Sequence, residues 1–201
     1  MTTVKQQKAL DLERLNRQWQ ARSLPLKAGA TQAVPGEGDP NAAVFLIGEA
    51  PGKTEDIQGK PFVGASGKFL TELLSFGGLT REQVFIGNMV KHRPPANRDP
   101  SLAELTAYAP WLDEQLAIVQ PRVVVTLGRF SMAYMLGGTH TISKVHGQPH
   151  YVDNRWWQEV PAKKLTVVPM YHPAAALYSG NLRAVLKADF ATIPAVLELI
   201  E

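Results

Sequence analysis

Ala43-Val44-Phe45-Leu46-Ile47-Gly48-Glu49-Ala50-Pro51-Gly52-Lys53-Thr54-Glu55-Asp56-Ile57-Gln58-Gly59-Lys60-Pro61-Phe62-Val63-Gly64 is the stretch from which the fold can be read. Its apolar run, 43–47, predicts a buried strand. The run then breaks into glycines, prolines and the carboxylates Glu49, Glu55 and Asp56. Such residues are poor core material and good loop material. A polar loop at the carboxyl end of a buried strand is where open α/β sheets place their sites.

Working outward, the same alternation recurs. Val84–Val90, Arg122–Leu127 and Leu165–Met170 read as further strands. Helices are predicted over 4–20, with Leu12, Leu15 and Trp19 on one face, and over 66–76, with Phe69, Leu70, Leu73 and Leu74 inward and Gly77-Gly78 as the stop. Ser101 with Glu104 forms a capping box for a helix to about Val119. Another helix runs from Gly128 to about Leu136, and a last one over 182–200 restarts at Pro194. Residues 22–42 read as a long loop, and 138–163 as irregular with a hairpin around Trp156-Trp157. The expectation is an α/β three-layer sandwich: a central four-stranded, mainly parallel sheet with helices on both faces. One domain is expected over 1–201, with 1–33 as an N-terminal helix and loop.

Composition narrows the function classes. The 201 residues are 45% apolar with a net charge of +3 and a pI near 9.2, mildly basic and compatible with a polyanion partner. There is no cysteine, which excludes disulfides, thiolate zinc sites, cysteine-bound iron–sulfur clusters and cysteine nucleophiles. No stretch approaches the ~20 apolar residues of a membrane span. The charged segment Met1–Gln20 lacks the apolar core of a signal peptide, so a cytoplasmic location is expected. A phosphate loop fails at Gly67-Lys68, because Phe62 stands at its first glycine position and Phe69 follows the lysine. A serine-hydrolase elbow fails because Gly67 directly follows Ser66. His146 and His150 are separated by Gly147 and Pro149 and read as turn residues, and His140 has no evident role.

Three strand ends carry polar residues: Glu49 after the first, Asn88 at the second, His172 after the fourth, with Pro173 fixing the backbone beyond it. Each has a structural reading. His172 can be a satisfied strand-end histidine, Asn88 a buried amide serving local backbone, and Phe62 a loop aromatic folded into the core. The functional readings are an imidazole donor, an amide presenting both donor and acceptor to a ligand edge, and a stacking platform for a planar ligand. A parallel sheet brings all three strand ends to one rim. A carboxylate, an amide and an imidazole gathered there favour catalysis.

These residues resemble the family 4 uracil-DNA glycosylases. The first motif is Gly48-Glu49-Ala50-Pro51-Gly52 with Glu55-Asp56, Gly59–Gly64 and Ser66-Gly67. The central one is Gly87-Asn88-Met89-Val90-Lys91-His92-Arg93-Pro94-Pro95-Ala96-Asn97-Arg98, and the last Tyr171-His172-Pro173-Ala174. The resemblance runs from about residue 34 onward. Typical members hold a [4Fe–4S] cluster with four cysteines. The matching positions here are Ala21, Leu24, His92 and Tyr108, none of which supplies a thiolate, so no cofactor is expected and packing replaces the cluster. A related branch that bonds covalently to DNA carries an arginine-rich insertion near His92, which this chain lacks.

The resemblance implies hydrolysis of the N-glycosidic bond of uracil in DNA by base flipping, leaving an abasic site and free uracil. It implies Glu49, His172 and Asn88 as catalytic residues, and Ala50, Glu55, Phe62, Asn88 and Asn97 around the base. Lys91, Arg93 and Arg98 are expected on phosphates, and Leu177 as a wedge filling the vacated stack. Uracil-containing DNA is the expected partner of a monomeric enzyme that binds no membrane. The rival expectation is a non-catalytic reader of uracil-containing or damaged DNA on the same fold.

Overall fold

The computed structural model describes residues 2–157 and 164–199. A six-stranded sheet forms its centre, in the order β1-β3-β2-β4-β6-β5. The strands are β1 Glu37–Gly38, β2 Val44–Gly48, β3 Phe85–Asn88, β4 Val123–Leu127, β5 His150–Asp153 and β6 Lys164–Met170. The expected four strands are the parallel centre, β3-β2-β4-β6. The sheet exceeds the expectation by two antiparallel edges, β1 on β3 and β5 on β6. β1 is two residues long, inside the segment read as loop, and too short for any periodicity to announce it.

The central strands are buried throughout, and their side chains alternate between two cores with the strand period of two. Phe45, Ile47, Phe85, Val124, Leu165 and Val167 face α1 (Val4–Gln20), α4 (Leu102–Val119) and α5 (Arg129–Leu136). Val44, Leu46, Ile86, Val123, Val125 and Val168 face α3 (Ala65–Phe76), α7 (Gly180–Phe190) and α8 (Ile193–Glu198). Helices therefore cover both faces. The predicted faces hold: Leu12, Leu15 and Trp19 of α1 are buried, as are Phe69, Leu70, Leu73 and Leu74 of α3. The Ser101–Glu104 capping box opens α4, and Pro194 sits in the first turn of α8, where its missing N–H does no harm.

Two local readings change. Lys53–Gln58, inside the glycine-rich loop, forms the short helix α2, ended by Gly59 at φ 69°. A four-residue helix, α6, spans Ile142–Val145. β5 pairs antiparallel with β6, whereas the hairpin is expected around Trp156-Trp157; both tryptophans follow β5 and neither lies in a strand. The connection through 158–163 lies outside the described residues.

Candidate active site

Strand register assembles the site. Gly48 pairs with Asn88 across β2–β3, and Leu127 with Met170 across β4–β6. Glu49 follows β2, Asn88 ends β3, and His172 stands two residues past β6. All three therefore reach the carboxyl rim, beside the switch point where β3 and β4 flank β2. A cavity of about 310 Å³ opens there, lined by Glu49, Ala50, Glu55, Phe62, Asn88, Asn97, Arg98 and His172, with Pro51, Gly52, Ser66, Pro94 and Ala174 completing the wall. The sequence-predicted catalytic and base-contacting residues thus share one cavity.

The walls are set by close packing. Phe62 adopts φ 51°, the left-handed region. Its ring faces His172 with centroids 5.8 Å apart and planes 30° from parallel. A Cβ on Gly48 would collide with Asn88 Oδ1 and the Phe62 ring, and one on Gly67 would collide with the Phe62 backbone. Glycine at both positions lets the ring and the amide meet. Arg81 clamps the same loop, donating to Phe62 O at 3.1 Å and Pro61 O at 2.8 Å while pairing with Glu37 at 2.7 Å. Sequence reasoning missed Arg81, which carries no motif and lies 19 residues from Phe62.

The polar groups are prepared for different tasks. Asn88 is buried, and among the described residues its Oδ1 has no hydrogen-bond partner. A buried amide oxygen left unpaired is costly unless something else meets it. Ala174 N–H donates to His172 Nδ1 at 3.1 Å, so the neutral ring carries its proton on Nε2, as a donor. Burial pushes the His172 pKa down to about 4, opposed by the Glu55 carboxylate. The Glu49 carboxyl moves the other way. Burial first, then the neighbouring Asp99 carboxylate, raise it to about 7, with Arg129 opposing. Asp99 in turn pairs with Arg129. Neither Asp99 nor Arg129 stood out in the sequence.

Glu55 serves the loop. Its Oε1 accepts from Val63 N at 3.0 Å and Gly64 N at 2.8 Å, fixing the Phe62 turn. Asn97, at φ 55°, uses its side-chain oxygen to accept from Arg93 Nε at 2.6 Å. Arg98 makes a two-pronged pair with Glu104, at 2.8 and 2.6 Å, yet its side chain stays about half exposed at the cavity wall.

One expected DNA contact is corrected. Lys91, expected on a phosphate, is fully buried, so no phosphate reaches it; its side chain runs inward to Asn88 O and Gln115 Oε1. Leu177 is partly buried against the core shared by α3 and α7. The next residue, Tyr178, is 97% exposed. His92 is buried too and does not line the cavity; its Nδ1 lies 2.7 Å from Tyr108 OH.

The residues at the positions matched to cluster ligands do not fit an iron–sulfur cluster. Leu24 and Tyr108 belong to a closed apolar lobe with Leu15, Trp19, Leu26, Val90 and Trp111, and His92 is hydrogen-bonded to that tyrosine. Ala21 caps the end of α1 and is exposed. Trp19 and Trp111 stack with centroids 5.8 Å apart and 10° from parallel. Their ring N–H groups donate to Glu114 and Asn16, each at 3.0 Å. Packed side chains occupy this place, and the Tyr108 hydroxyl and His92 Nδ1 are paired with each other.

Comparison with known proteins agrees with this geometry. The sequence pattern of the uracil DNA glycosylase superfamily matches residues 35–191. The chain is 49% identical over 168 residues to the type-4 uracil-DNA glycosylase of Sulfurisphaera tokodaii, covering 81% of this chain and 74% of that one. It is 43% identical over 176 residues to the type-4 enzyme of Archaeoglobus fulgidus, covering 86% and 85%. A type-5 uracil-DNA glycosylase of Thermus thermophilus is 37% identical over 118 residues, covering 51% and 53%. The match spans every strand of the rim and each of the three motifs that build the cavity, and on that ground the chain belongs to the uracil-DNA glycosylase superfamily, on the side of its type-4 members.

Proposed function

We propose that this chain is a uracil-DNA glycosylase that hydrolyses the bond between uracil and deoxyribose. The observation that carries the reading is the convergence of Glu49, Asn88, His172 and Phe62 on one cavity of about 310 Å³. The base cannot be reached within a duplex, so it is flipped out of the stack. Phe62 packs on its face. The unpartnered Asn88 Oδ1 accepts from uracil N3–H, and the amide N–H₂ donates to O4. Cytosine inverts that pattern and leaves both groups unpaired, which discriminates strongly.

Cleavage sends the bonding electrons to uracil and leaves positive charge on the sugar. Neutral His172 donates from Nε2 to uracil O2 and stabilises the departing anion. The Glu49 carboxylate orients a water at the anomeric carbon, favours the sugar cation electrostatically and takes the water proton as the new C–O bond forms. Glu55, Asn97 and Ala50 shape the wall. Arg93 and Arg98 supply positive charge for phosphates, and Tyr178, the outward side chain of the loop after His172, takes the wedge role expected of Leu177. The chain is read as one catalytic domain, acting as a monomer in the cytoplasm and releasing free uracil.

The test is release of free uracil from a single-stranded oligonucleotide. Wild-type protein releases it, and His172→Ala and Asn88→Ala release it at least ~100-fold more slowly. A protein that binds the oligonucleotide and releases nothing is the non-catalytic reader instead.

A further inference from the structure

Lys91 has no part in this chemistry and no route to DNA, yet it is a buried ammonium in the central motif. It donates to Asn88 O at 2.8 Å and to Gln115 Oε1 at 2.6 Å. Both acceptors are neutral. Burial pushes its pKa down to about 7, so the fold bears a cost in enclosing this amine. A methionine would fill similar space, so packing explains the stem of the side chain and leaves the ammonium unexplained.

The ammonium has firm backing. Gln115 is itself fully buried, and its Nε2 donates to Pro35 O at 2.7 Å and lies 3.5 Å from Asn16 Oδ1. Asn16 Oδ1 also receives the Trp111 ring N–H. The Lys91 carbonyl accepts from Val34 N at 2.7 Å. Hydrogen bonds thus run from the tryptophan lobe, through α4, to the backbone of Asn88. No side chain or backbone group of the described residues hydrogen-bonds Asn88 Oδ1, so the aim of that amide depends on how its backbone is held. Met89 N–H bonds to Gly48 O on the β2 side, and Lys91 holds the Asn88 carbonyl.

We propose that Lys91, braced by Gln115, is a positioning residue for base recognition: it fixes the Asn88 peptide so that the side-chain amide meets the uracil edge. This rests on the reading of Asn88 as the group that recognises uracil. A misplacement of about 1 Å at such a contact is worth on the order of 10²-fold, so a loosened peptide is felt in specificity first.

The test measures affinity for two single-stranded oligonucleotides, one carrying 2′-fluoro-2′-deoxyuridine, whose glycosidic bond resists cleavage, and one carrying 2′-fluoro-2′-deoxycytidine in its place, which differs only at the edge that Asn88 meets. Lys91→Met is expected to reduce the preference for the uracil oligonucleotide about tenfold while affinity for the cytosine one stays unchanged. Its unfolding midpoint is expected to stay close to wild type, since an apolar isostere of a buried charge is often neutral. Equal weakening on both oligonucleotides, or an unchanged preference, overturns the proposal. Gln115→Met is expected to lower the preference in the same direction by less. Should Lys91→Met fail to fold, an unchanged preference in Gln115→Met overturns the proposal. Asn88→Ala separates the two ideas. If it keeps the preference, the reading of Asn88 fails; if it loses it while Lys91→Met does not, only the role of Lys91 fails.

Discussion

At the residue scale, Glu49 and His172 are tuned in opposite senses by the same enclosure. Glu49 is raised to about 7, and the ionised form is the one that serves the water. Uracil release should therefore fall about tenfold per pH unit below pH 7, the slope of one titrating group. Glu49→Gln should run about 10²–10⁴-fold slower and lose that acid limb. The check is a pH–rate profile on single-stranded substrate. His172, lowered to about 4, stays neutral throughout and adds no limb of its own between pH 5 and 8. The identities of these residues were legible because each interrupts or ends an apolar run. Lys91 misled for the converse reason. A charged residue beside prolines reads as solvated, and a single sequence does not show which acceptors lie beneath the loop. Asp99 and Arg129 were illegible because their effect on Glu49 is purely spatial.

At the scale of elements, the α4 cap links fold and cavity. Arg98 first, then the Ser101 hydroxyl and backbone N–H, hold the Glu104 carboxyl down at about 2 against an ordinary 4.5. A carboxyl lowered on folding stabilises the native state above its unfolded pKa, and that contribution is lost as the pH falls. Stability attributable to Glu104 should therefore be complete above pH 4.5 and fade toward pH 2. Glu104→Gln should flatten the urea midpoint over that window, and a wild-type pH dependence in the variant would show that the cap is not its source. The loop after His172 gives a second prediction. Tyr178→Ala should slow release from duplex DNA more than from single strands, because only the duplex has a stack to refill; paired assays on the two substrates give the ratio. The cap was legible as Ser101 with Glu104, and so were the helix faces. The short helix α2 was hidden among glycines and prolines, and β1 was too brief to have a pattern. Arg81, which holds Phe62 by its backbone, leaves no trace in the sequence near it.

At the scale of the molecule, the parallel centre of the sheet made the site predictable. Once the strands were seen to alternate with helices, three strand ends had to meet at one rim. What topology could not supply was the filling of the lobe between α1 and α4. DNA affinity should fall steeply between about 50 and 200 mM salt, since the cation–phosphate component is set by counterion release; a titration at several ionic strengths checks this. The tryptophan lobe bears on how such an enzyme is made and kept. Its stacked indoles and tyrosine come into place as the polypeptide folds, with no inorganic centre to be delivered to them. Synthesis during metal starvation should yield fully competent protein, and peroxide or superoxide finds no thiolate-held iron in this chain to dislodge.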